Sequence, residues 1–275
     1  MIKDITIGQY YPAESILHRL DPRVKLLGTF LFIVTLFLFR SFIGYVVVLA
    51  FFAAIISLSK VPLRFILRGM KAVLVLFIFT VFFNLFFLPG NEIFRWGIIK
   101  ITDYGLYKAV FMGIRLTFLI LGSSLMTFTT TPNQLTDGLE KVMRPLNRIK
   151  VPVHEIAMMM SIALRFIPIL MEETDKIMKA QMARGADFES GGLLKRAKSL
   201  IPLLVPLFVS AFRRANDLAM AMEARCYRGG TGRTKMKPLS YKGRDYAAYV
   251  VLLLYLGLII GTRLLEGAGL LFYMK

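Results

Sequence analysis

The chain has 275 residues, is 56% hydrophobic and carries a formal charge of +18. So apolar and so basic a composition excludes an ordinary soluble domain, and the basic excess is what the cytoplasmic loops of a membrane protein carry. A single cysteine, Cys226, excludes an internal disulfide and a Cys-based zinc site.

Residues 1–25 mix charged and polar positions without a cleavable small-residue site, so no signal peptide is expected. Asp21-Pro22 reads as a helix start, with Asp21 as N-cap and Pro22 as first helical residue. Arg23 and Lys25 then read as interfacial cations. Apolar runs follow at 26–39, which is short and begins inside the Asp21-Pro22 cap, and at 42–58, 72–88, 106–129 and 246–262, several of which approach the ~20 residues that span a bilayer as a helix. Lipid demands a self-satisfied backbone, so these runs are read as helices. The loop at 59–71 is basic without an acidic residue, whereas 89–105 is of mixed charge with Trp96 and Tyr104. The positive-inside rule therefore places the N-terminus, 59–71 and 131–245 in the cytoplasm, and the Arg40 turn, 89–105 and the C-terminus outside. Arg115 lies inside the fourth run. It reads either as a functional intramembrane charge or as a snorkelling or helix-bonding one.

Between Thr131 and Lys150, Leu135, Leu139, Val142, Met143 and Leu146 share one face of an amphipathic helix that does not cross. From Val153 a second stripe runs through Ile156, Met160, Leu164, Ile167 and Met171 to Met182, and Gly185 ends it as a left-handed cap would. A third runs from Leu193 through Leu204, Phe208, Phe212 and Ala219 to Met222, with Gly229-Gly230 as its break. Pro168, Pro202 and Pro206 predict kinks. Arg165 interrupts one stripe, and the uncharged part of the other is only 199–212. Both helices are therefore expected to lie along the cytoplasmic side. Met158, Met159, Met160, Met171, Met178 and Met182 read equally as a soft docking surface or as core filler.

The expected fold is all-α: a polytopic membrane protein of about five transmembrane helices plus a cytoplasmic-side module of amphipathic helices. Residues 1–130 hold the N-terminal segment and the first four spans. Residues 131–230 form the module, and 231–275 a basic linker and the last span.

Each long helical pattern ends in a small-Arg-small tripeptide, Ala183-Arg184-Gly185 and Ala224-Arg225-Cys226. With Phe212-Arg213-Arg214-Ala215-Asn216-Asp217, Tyr227-Arg228-Gly229-Gly230 and Asp21-Pro22-Arg23-Val24-Lys25, they give a sequence that resembles the transmembrane (T) component of energy-coupling factor transporters. The resemblance covers essentially the whole chain; Cys226 stands where that family often has Gly. It implies a non-catalytic coupling subunit, with Ala183, Arg184, Gly185, Ala224, Arg225 and Cys226 docking two cytosolic ATP-binding-cassette ATPases. It further implies a separate substrate-binding membrane protein, the S component, for vitamin or metal-ion uptake. By their chemistry alone, the two arginines read either as groove anchors or as complements to a helix C-terminal dipole.

Rival classes find little support. The only histidines, His18 and His154, stand beside no candidate nucleophile, and Ser123-Ser124 has no neighbouring base. No HExxH, Asp-rich diphosphate or GxxxxGK[ST] motif occurs, so no metal or nucleotide cofactor is expected and ATP hydrolysis falls to partners. A self-contained transporter predicts buried acidic spans or an internal repeat, neither of which is found. Nucleic acid is disfavoured because the basic residues follow membrane topology.

Overall fold

Asp21 begins the first helix as its chemistry dictates. In the computed structural model, which describes residues 10–70, 74–96, 99–188, 192, 198–230, 236 and 238–268, its carboxylate accepts the Arg23 backbone N–H at 2.9 Å. The same carboxylate grips the Arg23 guanidinium at 3.0 and 2.8 Å. Helix α1 (Pro22–Thr35) follows, then α2 (Phe42–Ser59), α3 (Leu63–Met70), α4 (Leu74–Phe87), α5 (Asp103–Thr129) and α6 (Pro132–Met143). A 3₁₀ stretch (Arg144–Ile149), built around Pro145, leads to α7 (Val153–Ala183), α8 (Ile201–Ala224) and α9 (Gly243–Gly267).

The chain is therefore an all-α membrane protein, with one addition. The 89–105 loop carries a two-stranded antiparallel ribbon, β1 (Glu92–Trp96) and β2 (Ile99–Thr102), irregular in register between Glu92 and Phe94. Helices α2, α5, α7 and α9 are long and apolar enough to cross a bilayer. Helices α1 and α4, at two of the expected spans, have 14 residues each and rise only about 21 Å. Conversely, α7 reaches 31 residues, and its most apolar window has a mean hydropathy of 1.6, enough for a span by length and composition. Arg165, the charge that argued against crossing, lies inside this helix.

The chain divides into two compact units, Gly8–Leu139 with Leu239–Lys275, and Met1–Ile7 with Glu140–Pro238. The core of the first is aromatic. Phe32, Phe39, Tyr45, Phe52, Phe118 and Tyr255 are buried together, with Phe39 and Tyr45 edge to face at 4.9 Å and Phe51 stacked on Tyr255 at 4.1 Å. Such pairs stabilise beyond their buried area. Two tyrosine hydroxyls in this core find partners: Tyr45 donates to Phe111 O at 2.9 Å, and Tyr255 and Thr35 share a bond of 2.9 Å. Gly44 and Gly122 are there for closeness, since a Cβ would come within 2.3 Å of the Phe39 ring and 2.6 Å of Phe32. Thr117, Ser123 and Thr129 turn their hydroxyls back onto carbonyls of their own helix, which removes them from lipid. That leaves Ser123 a packing residue.

Lys25, expected at the interface, is buried. Its ammonium donates to Thr129 O at 2.7 Å and His18 O at 3.2 Å, because α5 and the N-terminal segment close over it. Arg115 reaches the turn between α1 and α2 rather than a neighbouring helix. It donates to Phe39 O at 3.4 Å and lies 4.9 and 5.2 Å from the Phe111 and Phe37 rings. Two acids near the ends of α9 hold it to α1 and α2. Asp245, 1% exposed, accepts from the Asp21 and Lys242 backbone N–H groups at 2.8 Å each. Glu266 accepts from Arg40 and Ser41 at 3.2 and 2.9 Å.

Candidate functional site

Both small-Arg-small tripeptides close their helices in the same way. In each, the arginine is the C-cap and the third residue takes the left-handed conformation, with φ +88° at Gly185 and +55° at Cys226. After α7, Gly185 N–H donates to Met182 O and Ala186 N–H to Gln181 O, both at 3.0 Å. After α8, Cys226 N–H donates to Glu223 O at 2.8 Å and Tyr227 N–H to Met222 O at 3.0 Å. This pair of crossed bonds is the Schellman closure, which satisfies carbonyls that a helix end otherwise orphans. The cysteine thus keeps the cap that glycine would make, at the strain of a Cβ in left-handed backbone.

The arginines stand free of the described residues. Arg184 and Arg225 are exposed, and neither makes a hydrogen bond or ion pair with the described residues. Their small neighbours Ala183, Gly185, Ala224 and Cys226 are exposed as well. Each end therefore presents an unobstructed guanidinium with five donors in a fixed fork.

The two helices that carry them pack against each other. Arg214 on α8 pairs with Glu173 on α7 at 3.0 Å, and Gln181 near the end of α7 donates to Pro202 O at the start of α8 at 3.3 Å. As α7 advances from Glu173 to Gln181, α8 retreats from Arg214 to Pro202, so the pair runs antiparallel. Consistently, the segment after α8 returns to the start of α7, where a Cβ on Gly230 would strike His154 at 2.3 Å. His154 is itself held by Glu140 at 3.0 Å. The two arginines consequently leave from opposite ends of the pair. From Pro202 to Arg225 the helix rises about 35 Å at about 1.5 Å per residue, so the two forks are on the order of 30 Å apart.

Helix α7 runs through Pro168 and α8 through Pro206, while Pro202 falls in the first turn of α8, where a missing N–H costs nothing. Leu193 and Ala197, assigned to this pattern from sequence, lie outside the described residues. The exposed face of α8 was only half legible. Val205, Phe208, Val209 and Phe212 are 55–66% exposed at i, i+3, i+4 and i+7, one stripe of a helix. The sequence reading picked Phe208 and Phe212 but missed the valines, whose spacing carries the signal. Of the methionines, Met159, Met160 and Met182 are exposed, and Met158, Met171 and Met178 are half-buried.

The family model described as cobalt transport protein (CbiQ) matches residues 13–236. The chain is 53% identical over 269 residues to the energy-coupling factor transporter transmembrane protein EcfT of Clostridium kluyveri, covering 97% of this chain and all of that protein. It is 55% identical over 249 residues to the protein of that name from Thermosediminibacter oceani, covering 90% and 94%. With the Bacillus subtilis EcfT it shares 47% over 264 residues, covering 96% and 100%.

Proposed function

The chain belongs to the CbiQ/EcfT family of transporter transmembrane proteins, and from that premise we propose that it is the non-catalytic coupling subunit of an energy-coupling factor importer. Arg184 and Arg225, with Ala183, Gly185, Ala224 and Cys226 beside them, dock into two cytosolic ATP-binding-cassette subunits, one at each end of the antiparallel pair. The single observation behind this is the matched geometry of the two ends: two free guanidiniums on two identically closed helix termini, too far apart to serve one groove. A dipole complement needs neither the exposure nor the duplication. Tucked into a groove, each fork meets a carboxylate in a two-pronged bond, and removing one partner of such a desolvated pair costs about 2–5 kcal/mol.

The rest of the mechanism is mechanical. ATP binding draws the two ATPases together, and their anchors shift the ends of α7 and α8. The exposed stripe on α8 and the methionine surface of α7 then change what they offer to the S component, the separate membrane protein that carries a vitamin or metal ion. A change of state of this kind requires contacts that differ between the two states. Non-directional apolar surfaces supply them without a fixed register. In this orientation the N-terminus and the α7–α8 module face the cytoplasm, as the basic 59–71 loop directs.

Purification from membranes in mild detergent tests the reading. Two ATP-binding-cassette proteins should accompany the wild-type chain and be lost from the Arg184→Ala/Arg225→Ala variant, while each single variant weakens retention of one. Absence of any ATPase from the wild-type preparation would refute it.

A further inference from the structure

The unit of Gly8–Leu139 and Leu239–Lys275 contains a cleft with two chemical halves. Its inner half is an apolar slot of about 330 Å³ among α1, α2, α5 and α9, with Phe32, Phe51, Phe52 and Leu252 in its walls. That volume is at the small end of the ~300–1,000 Å³ that ligand sites occupy. Its outer half is a polar mouth of about 650 Å³ that shares Ile16, Leu58 and Arg244 with the slot. The lining of the two halves holds the cations Arg19, Lys25, Lys60 and Arg244 against one carboxylate, Glu14. Glu14 pairs with Arg19 at 2.8 Å.

Two of these positive charges, Lys60 and Arg244, are left without an ion pair among the described residues, while Lys25 lies in the field of Asp21 and Asp245. Lys25 spends its ammonium on two carbonyl oxygens. Lys60 and Arg244 are exposed and form no hydrogen bond or ion pair. The placement of Arg244 lacks a folding rationale, since it sits in the first turn of α9, where the helix dipole disfavours a cation. Lys60 caps α2, where the dipole favours a cation, although its φ of +56° is a backbone that glycine or asparagine takes more cheaply. All three lie at one level of the bundle, at the start of α1, the end of α2 and the start of α9. The slot then runs inward from Lys25 to Phe32, about 10 Å along α1.

We propose that this cleft binds one anionic phospholipid of the leaflet that borders the basic 59–71 loop, its phosphodiester between Lys60 and Arg244 and one acyl chain in the slot. A polar head at a cationic rim and an apolar tail in a cavity match both halves at once. A free phosphate satisfies only the mouth, and a zwitterionic phospholipid brings the same phosphodiester with a quaternary ammonium that the cationic rim repels. The juxtaposed cations select charge, and the slot selects a chain. The site is separate from the proposed ATPase docking, so it stands or falls independently.

The purified full chain in detergent is titrated with dioleoyl phosphatidylglycerol, dioleoyl phosphatidylcholine or inorganic phosphate, with bound species counted by native mass spectrometry. Phosphatidylglycerol should bind saturably, at one per chain and at least ten-fold more tightly than phosphatidylcholine, with no binding of phosphate. Lys60→Gln/Arg244→Gln should bring phosphatidylglycerol down to the phosphatidylcholine level, with the lipid-free unfolding midpoint unchanged because both side chains are exposed. Ala248→Leu, which fills the slot from α9, should weaken both lipids; if it does not fold, the glutamine pair alone decides. Equal binding of the two lipids, an unchanged preference in the glutamine pair, or capture of phosphate alone would overturn the proposal. So would loss of the lipid from chain purified together with its partners, because a protein segment would then fill the cleft.

Discussion

Cys226 offers the sharpest test of how the second docking end is built. Its φ of +55° puts a Cβ into left-handed backbone, which for an L-residue costs about 1–2 kcal/mol. Cys226→Gly removes that strain and adds about 0.5–1 kcal/mol of chain entropy in the unfolded state. The net gain is about 1 kcal/mol, roughly a five-fold shift in the local opening equilibrium. Cys226→Val moves the other way, because a β-branched residue is a true outlier at positive φ. The capping amides of residues 226 and 227, which donate to Glu223 O and Met222 O, report the change directly. Hydrogen exchange by mass spectrometry on a peptide covering 218–230 should therefore rank protection Gly above Cys above Val, each step several-fold. Retention of the second ATPase should follow the same order. If glycine slows exchange by less than two-fold and valine is neutral, the left-handed cap does not limit this helix end and the reasoning fails.

Further outcomes concern the membrane unit. Asp245→Ala strands the Asp21 and Lys242 N–H groups, each at about 1–3 kcal/mol. Thermal unfolding in detergent should show a loss of roughly 2–4 kcal/mol, with Asp245→Asn about half as damaging because it keeps one acceptor; equal damage from both would contradict the two-bond role. His18 donates Nε2–H to Tyr11 O at 3.0 Å and accepts at Nδ1 from the Ser15 hydroxyl at 2.7 Å, the arrangement of a neutral ring. Burial pushes its imidazole below the ordinary value of 6.5. A lowered histidine contributes stability that is full above about 6.5 and is lost as pH falls through the folded value. Unfolding midpoints measured between pH 8 and pH 5 should therefore decline at the acid end, and His18→Gln should flatten that decline. Asp21 follows the same sign in a lower window. Burial pushes its carboxyl up, but the Arg23 side chain and backbone N–H together outweigh burial and hold it below the usual range.

What could be read from sequence was the chemistry that acts within a few residues. The Asp21-Pro22 cap, the glycine stop at Gly185, the amphipathic stretch after Thr131 and the Arg40 turn all follow from neighbours in the chain, and all are found. The family resemblance carried the rest of the site. What stayed hidden depends on partners far along the chain. Asp245 and Glu266 read as ordinary polar ends of a last span, yet they hold backbone N–H groups more than 200 residues away. Nothing local marks Lys25 as buried, because Thr129 and His18 close over it only in three dimensions. The antiparallel course of α7 and α8 rests on Glu173–Arg214 and Gln181–Pro202, pairs that no periodicity announces. The ribbon at 92–102 escaped because its strands are of five and four residues, too short for an alternation to stand out.

The proposed coupling role assigns two kinds of force to two places, and the physics supports that division. An arginine fork is directional, so it fixes a docked ATPase in orientation as well as position. The Schellman closure beneath it stiffens the last turn, so displacement of the fork moves the helix rather than fraying its end. An apolar stripe is the opposite: its attraction depends on area and hardly on angle. Val205, Phe208, Val209 and Phe212 each gain about 1.5–3 kcal/mol when fully covered. A neighbour sliding along the stripe exchanges one such contact for another at little net change. Charged groups in that stripe would hold the neighbour in a single register, and apolar groups at the anchors would let the ATPases slip. Rigid polar ends joined by a slippery apolar middle are what transmission of a stroke to a moving membrane partner requires.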